Sequence, residues 1–226
     1  NRQYQNHLEE MVASQVAEMT RMQDEVITGI ANLIESRDGS TGLHVKNTQN
    51  YVQILTKALR EKGMYPDILD HNYELNTVKA SVLHDIGKIK TPDAILLKPG
   101  RLTDEEFEVM KQHTVAGCEI IDRIIGNVEH EEYVDIARKI ARYHHERWDG
   151  TGYPDGLSGE EIPLCARIMA LADVFDALYQ DRCYKKAIRP ASKVFEIIKE
   201  NSGSQFDPNL TEIFLELQRE ITDISE

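Results

Sequence analysis

Apolar residues recur along this chain every three to four positions and give no convincing pair of alternating strand segments, so the sequence reads as helix after helix. From Tyr4 to about Arg37 there is neither proline nor a turn cluster, and Leu8, Met11, Met19, Met22, Val26, Ile30 and Leu33 are separated by Gln, Glu and Arg. That spacing predicts a long connecting helix, partly heptad-like, which pairs with a second copy or else folds back on its own core. Gln15 interrupts the stripe. Further helices are predicted from His44 to Lys62, from Tyr73 to Ile86 ahead of Gly87, and from Thr103 to about Ile125 behind a Thr103/Glu106 capping box. Glu131 to His145, Leu164 to Tyr179, Ala191 to Asn201 and Asn209 to about Ile221 complete the set, the last two just after Pro190 and Pro208. Loops fall at Ile89 to Arg101 and Glu146 to Pro163. The expected fold is all-α: a helical bundle over 37–226 behind a signalling and dimerisation helix over 1–36, whose partly heptad-like spacing allows a coiled coil.

Composition narrows the function. The chain has 226 residues, 41% of them hydrophobic and only 7 prolines, enough for one substantial core plus an appendage. A net charge of −13 argues against DNA, RNA or anionic membrane as partners, since those need a basic surface. A small phosphate substrate fits only if metal ions supply positive charge locally. Cys118, Cys165 and Cys183 are odd in number and far apart, which suits a reducing compartment. No bilayer-length apolar run and no signal-peptide pattern is present, so a cytoplasmic location is expected. The chain enters a helical pattern at once, which suits a segment with an upstream sensor or receiver domain.

The chemistry concentrates in histidines. His84 and Asp85 are adjacent, as are His144 and His145. Neighbouring side chains on a helix point about 100° apart, which makes such pairs awkward ligands for one ion and natural ligands for two. His44 and His113, like these pairs, lie near predicted helix ends or Gly-bearing loops, and Asp173 joins Asp85 as a second carboxylate. A nitrogen and carboxylate set without thiolates suits borderline divalent ions. Asp85 is the candidate bridging carboxylate. Lys88, one turn on, would stabilise negative charge on phosphorus. His113 alone would pass for a surface or capping histidine, and Gly117 for a helix-packing glycine. His7, His71 and His130 lack partners and stay outside the set. In the stretch His144 to Pro154, Trp148 reads better as a loop anchor than as a base-stacking ring, Asp149 as a turn former, and Gly150 and Gly152 as allowing a tight path.

HDIGK at 84–88, HHERWDGTGYP at 144–154 and RIMALADVFDAL at 167–178 together strongly resemble the HD-GYP family of bacterial cyclic di-GMP phosphodiesterases. RDGSTGLH, KPGRLTDEE, MKQH and GSQFDP support the likeness, which runs from about Ser36 to about Leu215. The resemblance implies an HD-domain bundle whose His44, His84, Asp85 and Asp173 serve one metal ion. His113, His144 and His145 would serve the other, with Asp85 shared and Asp176 outside the ligand set. Iron and manganese are the first candidates for the two ions, with nickel, cobalt and zinc as others. Lys88 is implied as the phosphate-contacting lysine and, with Asp85, as catalytic. Tyr153 and Pro154 would border the substrate groove and also meet diguanylate cyclase partners, and Arg182 and Lys185 would contact phosphate. The implied reaction opens cyclic di-GMP to linear pGpG in a signal-transduction or two-component context. Ser40 stands where trinuclear members carry Glu, so a third ion and rapid formation of GMP are not expected. Cys183 replaces the usual proline of the RxYK segment. Two rival readings are a phosphodiesterase for another cyclic dinucleotide, such as 3′,3′-cyclic GMP-AMP, and a non-catalytic dinucleotide receptor or interaction module.

Overall fold

Helix α7, Leu164–Tyr179, is apolar around almost its whole circumference, and such a helix is stable only in the middle of a protein. It occupies that position in the computed structural model, which describes residues 2–38, 43–126, 131–180 and 186–224. Around it pack α2 (His44–Glu61), α6 (Glu131–Tyr143), α8 (Ala191–Glu200) and α9 (Pro208–Glu216). Phe175 is the hub: its ring lies 5.1 Å from Tyr51 of α2, 4.9 Å from Phe195 of α8 and 5.7 Å from Phe214 of α9. Each fully buried side chain of this size stabilises the fold by roughly 2–3 kcal/mol.

The remaining helices are α1 (Arg2–Glu35), α3 (His71–Ala80), the short α4 (Asp93–Leu96), α5 (Asp104–Ile125) and α10 (Gln218–Asp223). No strand occurs among the described residues, as the apolar periodicity predicts. The capping box opens α5 as expected: Glu106 N–H donates to Thr103 Oγ1 and Thr103 N–H donates to Glu106 Oε2 at 2.8 Å.

Three boundaries differ from the sequence expectation. The helix predicted up to Ile86 ends at Ala80 and continues as two 3₁₀ turns, Ser81–Leu83 and Ile86–Lys90. Ser81 Oγ donates to Val78 O at 2.8 Å and His84 Nδ1 to Ser81 O at 2.9 Å, so side chains compete with the helical backbone ladder there. The last predicted helix is divided at Leu217 into α9 and α10. The loop expected from Ile89 to Arg101 contains α4.

Helix α1 is about 50 Å long at the usual rise per residue. Its first two-thirds are exposed, Leu8, Met11, Met19, Met22 and Val26 included, whereas Ala31, Ile34 and Glu35 in its final turns are buried in the bundle. Among the described residues no helix is long and apolar enough to cross a membrane.

Candidate metal centre

The 3₁₀ segment holding His84 and Asp85 can reach the centre of α5 because two glycines meet there. A Cβ on Gly87 would lie 1.8 Å from the carbonyl oxygen of His113, and one on Gly117 would sit 3.4 Å from Gly87 N. Close approach of these backbones sets Asp85 beside His113. Gly117 therefore does serve packing, and the packing it serves is that of the site.

Four imidazoles are held in the same way. His44 Nδ1 donates to Asp176 Oδ2 at 2.7 Å, His84 Nδ1 to Ser81 O at 2.9 Å, His113 Nδ1 to Met110 O at 2.7 Å and His144 Nδ1 to Ile140 O at 2.9 Å. An acceptor at Nδ1 demands a proton there, so any lone pair such a ring offers is on Nε2. All four Nε2 atoms point into one buried cluster, where His44 and His84 approach to 3.3 Å.

Asp85 divides this cluster. Its Oδ2 lies 3.3 Å from His84 Nε2, while its Oδ1 lies 3.3 Å from His113 Nε2 and 3.7 Å from His144 Nε2. Asp173 Oδ1 is 3.5 Å from His44 Nε2 and 4.0 Å from His84 Nε2. Ligand-type atoms thus gather as Asp85, His113, His144 and His145 on one side and His44, His84 and Asp173 on the other, with Glu35, His44 and Asp85 as a third, overlapping set, each within 4.8 Å. Asp85 Oδ1 and the Nε2 atoms of His113 and His144 are buried and satisfy no hydrogen-bond geometry. Buried polar atoms of this kind are costly unless something binds them, and a divalent cation fits the donor set.

The electrostatics agree with that use. Burial opposes charge on Asp85, yet Lys88 and His84 outweigh it and hold the carboxyl well below its usual range. Asp173 is lowered too, by His84 and His44 against burial. His113 is pushed down to about 4 by burial and kept neutral. His145 is lowered well below the usual value by burial and by His144 and His113. His84 goes the other way: burial disfavours its charge, but Asp85, Asp173 and Glu35 raise it to about 9. A cation entering at His84 therefore has to displace a proton.

A cavity of about 430 Å³ opens on the cluster, lined by Asp85, Lys88, Lys98, His145, Tyr153 and Asp173 among others. Lys88 Nζ sits 2.7 Å from Asp85 Oδ2. Tyr153 stacks on His145 at 4.8 Å and meets the edge of Phe107 at 6.0 Å. Pro154 follows it, half-buried, in the loop from 144 to 163. That loop is shaped from within. Glu146 is buried and accepts the backbone N–H groups of Asp155, Gly156 and Leu157 at 2.8, 3.0 and 3.1 Å. Asp149 accepts from Thr151 N at 3.0 Å, Gly150 has φ +79°, and a Cβ on Gly152 would strike Arg147 N at 2.3 Å. The Trp148 ring lies 5.8 Å from the Arg167 guanidinium, itself paired with the buried Asp207, in keeping with an anchor.

Sequence reasoning missed Glu35, Glu146 and the part played by Asp176. Asp176 stands one turn after Asp173 on α7 and holds His44 from behind, a relation that its spacing hinted at. His7 and His71 are exposed and apart from the cluster. Ser40, His130, Arg182, Cys183 and Lys185 lie outside the described residues.

Fold and site together define an HD-domain protein, and the HD domain family model matches residues 6–210. A cyclic di-GMP phosphodiesterase of Vibrio cholerae is 44% identical over 211 residues, covering 92% of this chain and 42% of that relative. A 3′3′-cGAMP-specific phosphodiesterase 2 of the same organism is 37% identical over 192 residues, 85% of this chain and 34% of the relative. The solved structure of a cyclic GMP-AMP specific phosphodiesterase from V. cholerae shares the fold with a TM-score of 0.58 at 20% identity, covering 88% of this chain and 52% of that one. The chain belongs to the HD-GYP family of HD-domain proteins. It spans half or less of the length of these curated relatives.

Proposed function

We propose that this domain is a metal-dependent phosphodiesterase that opens cyclic di-GMP to linear pGpG. The observation that carries the proposal is Asp85, whose two carboxylate oxygens face two separate groups of ligand atoms beside a cavity containing Lys88. His44, His84, Asp85 and Asp173 would hold one divalent cation, and Asp85, His113, His144 and His145 the other. Bound there, a pair of iron or manganese ions supplies Lewis-acid chemistry, acidifying water and neutralising phosphate oxygens.

The protein's own groups do the rest. The Nδ1 hydrogen bonds orient four imidazoles with Nε2 toward the site before anything binds, and at His84 the Nε2 proton is the one a cation would displace. Lys88 presents an ammonium to a non-bridging phosphate oxygen as negative charge grows. Water forms the new bond to phosphorus while the bond to the 3′ oxygen breaks, and the ring opens to a 5′-phosphate and a free 3′-hydroxyl. Tyr153 and Pro154 border the groove. Arg182 and Lys185 are proposed to hold the second phosphate, and Ser40 in place of Glu to limit the reaction to one cut.

The domain would act in the cytoplasm as the output of an upstream sensor or receiver, as a homodimer through α1, with the 144–163 loop open to a cyclase partner. The apolar positions of α1 support pairing. Leu8, Met19 and Ile30 recur at eleven-residue spacing, as do Met11, Met22 and Leu33, and all six are exposed.

A second reading, cleavage of 3′,3′-cyclic GMP-AMP, is favoured by the 37% identical relative specific for that nucleotide. Initial rates on a panel of cyclic dinucleotides, with products separated by ion-exchange chromatography, distinguish the two. Faster turnover of cyclic di-GMP, ending at pGpG, is expected. Preference for the mixed nucleotide would replace the first reading with the second, and no turnover of any of them by metal-loaded protein would leave a receptor.

A further inference from the structure

The last turn of α1 delivers a carboxylate to the metal centre that the motif set does not contain. Glu35 is 1% exposed. Its Oε2 lies 3.3 Å from Lys88 Nζ and its Oε1 lies 3.9 Å from His44 Nε2. A buried carboxylate survives only with a charged or hydrogen-bonding partner, and here the cation is the lysine that faces the cavity. Lys88 Nζ is thus set between Glu35 and Asp85. The Asp85 carboxylate also faces His84, His113 and His144, so it is shared among several claims. Glu35 supplies the lysine with a second anion outside the seven-residue ligand set.

The backbone carrying Lys88 is fastened to the same helix end. Arg37 donates to the carbonyl oxygens of Lys88, Ile89 and Thr91 at 3.3, 3.2 and 3.4 Å and pairs with Asp93 at 2.5 Å. Glu35 in the last turn of α1 and Arg37 in the 3₁₀ turn Ser36–Asp38 that follows therefore hold both the side chain and the main chain of Lys88, whereas most of α1 upstream is exposed.

We propose that Glu35 is the positioning residue for Lys88, and that the C-terminal turn of α1 is the element that sets where this ammonium stands over the cavity. The inference rests on the phosphodiesterase reading, so its test uses two substrates, cyclic di-GMP and the generic diester bis(p-nitrophenyl) phosphate. Turnover of the generic diester alone would remove the cyclic di-GMP reading while still ranking the variants.

The variants are Glu35→Gln, Glu35→Asp, Lys88→Met and the double Glu35→Gln/Lys88→Met, each loaded with manganese and assayed for kcat, KM, metal per chain and melting temperature. Lys88→Met is expected to lower kcat on the order of a hundredfold. Glu35→Gln is expected to lower it about tenfold, with metal content and melting temperature held, and Glu35→Asp to recover part of the loss. The double variant should be no slower than Lys88→Met alone, because Glu35 acts through the lysine. If Glu35→Gln slows the Lys88→Met protein by a further tenfold, or loses metal, Glu35 acts independently of Lys88 and the proposal is overturned. A Glu35→Gln protein with unchanged kcat on both substrates overturns it too. Should Glu35→Gln melt early, Glu35→Asp in the Lys88→Met background gives the same comparison.

Discussion

At the scale of single residues, the candidate centre depends on groups behind the proposed ligands as much as on those residues themselves. Asp176 accepts the Nδ1 proton of His44 and is 1% exposed, so Asp176→Ala leaves a buried imidazole unoriented. Such a change is expected to weaken manganese affinity roughly tenfold to hundredfold, as read by competition with a chelating dye. The buried imidazoles also fix how the metal-free protein responds to pH. Between about pH 4 and 6.5 the unfolded chain protonates His113 and the folded one does not, and His145 acts in the same direction, so stability rises with pH. Between 6.5 and about 9 the folded chain keeps the His84 proton that the unfolded one has lost, so that contribution declines with pH. A stability maximum near pH 6.5 is expected in chelator-treated protein by urea titration, with the alkaline decline reduced in His84→Asn.

At the scale of elements, the site was readable where its chemistry is written in adjacent residues and unreadable where it depends on packing. HD at 84–85 and HH at 144–145 pointed to the candidate centre because paired histidine and carboxylate side chains on neighbouring positions have few other uses. The 3₁₀ break that carries HD was hidden, since the apolar period runs on through Leu83 and Ile86 and only the Ser81 and His84 side-chain bonds end the helix. Glu146 looked like one more charged residue of a loop, yet three backbone N–H groups converge on it because the chain turns back at 155–157. Glu35 lay inside the predicted connecting helix with no motif to single it out. Gly87 did carry a signal, but as a helix stop; its close contact with α5 appears only once the helices are placed. Gly87→Ala is expected to destabilise the fold by about 2–4 kcal/mol and to reduce bound metal, measured by thermal melting and elemental analysis, because its Cβ would overlap His113 O.

At the scale of the whole molecule, a bundle built around α7 holds a charged cavity at one end of a long, largely exposed helix. The −13 charge and the cationic requirement of a phosphate substrate are reconciled locally, by Lys88 and Lys98 at the cavity and by the cations that the histidines can hold. The exposed apolar positions of α1 lead us to expect a dimer by sedimentation at micromolar concentration. Met22→Glu with Val26→Glu should shift it to monomer without lowering the melting temperature of the bundle, since both side chains are exposed. Dimerisation unaffected by these charges would place the contact elsewhere.

The most direct measurement is turnover of cyclic di-GMP, with the product identified, by manganese- or iron-reconstituted protein beside His84→Ala and Asp85→Ala. Conversion to pGpG by the parent, with metal content and activity falling together in both variants, is the expected result. Activity that survives both substitutions would contradict a centre organised around Asp85.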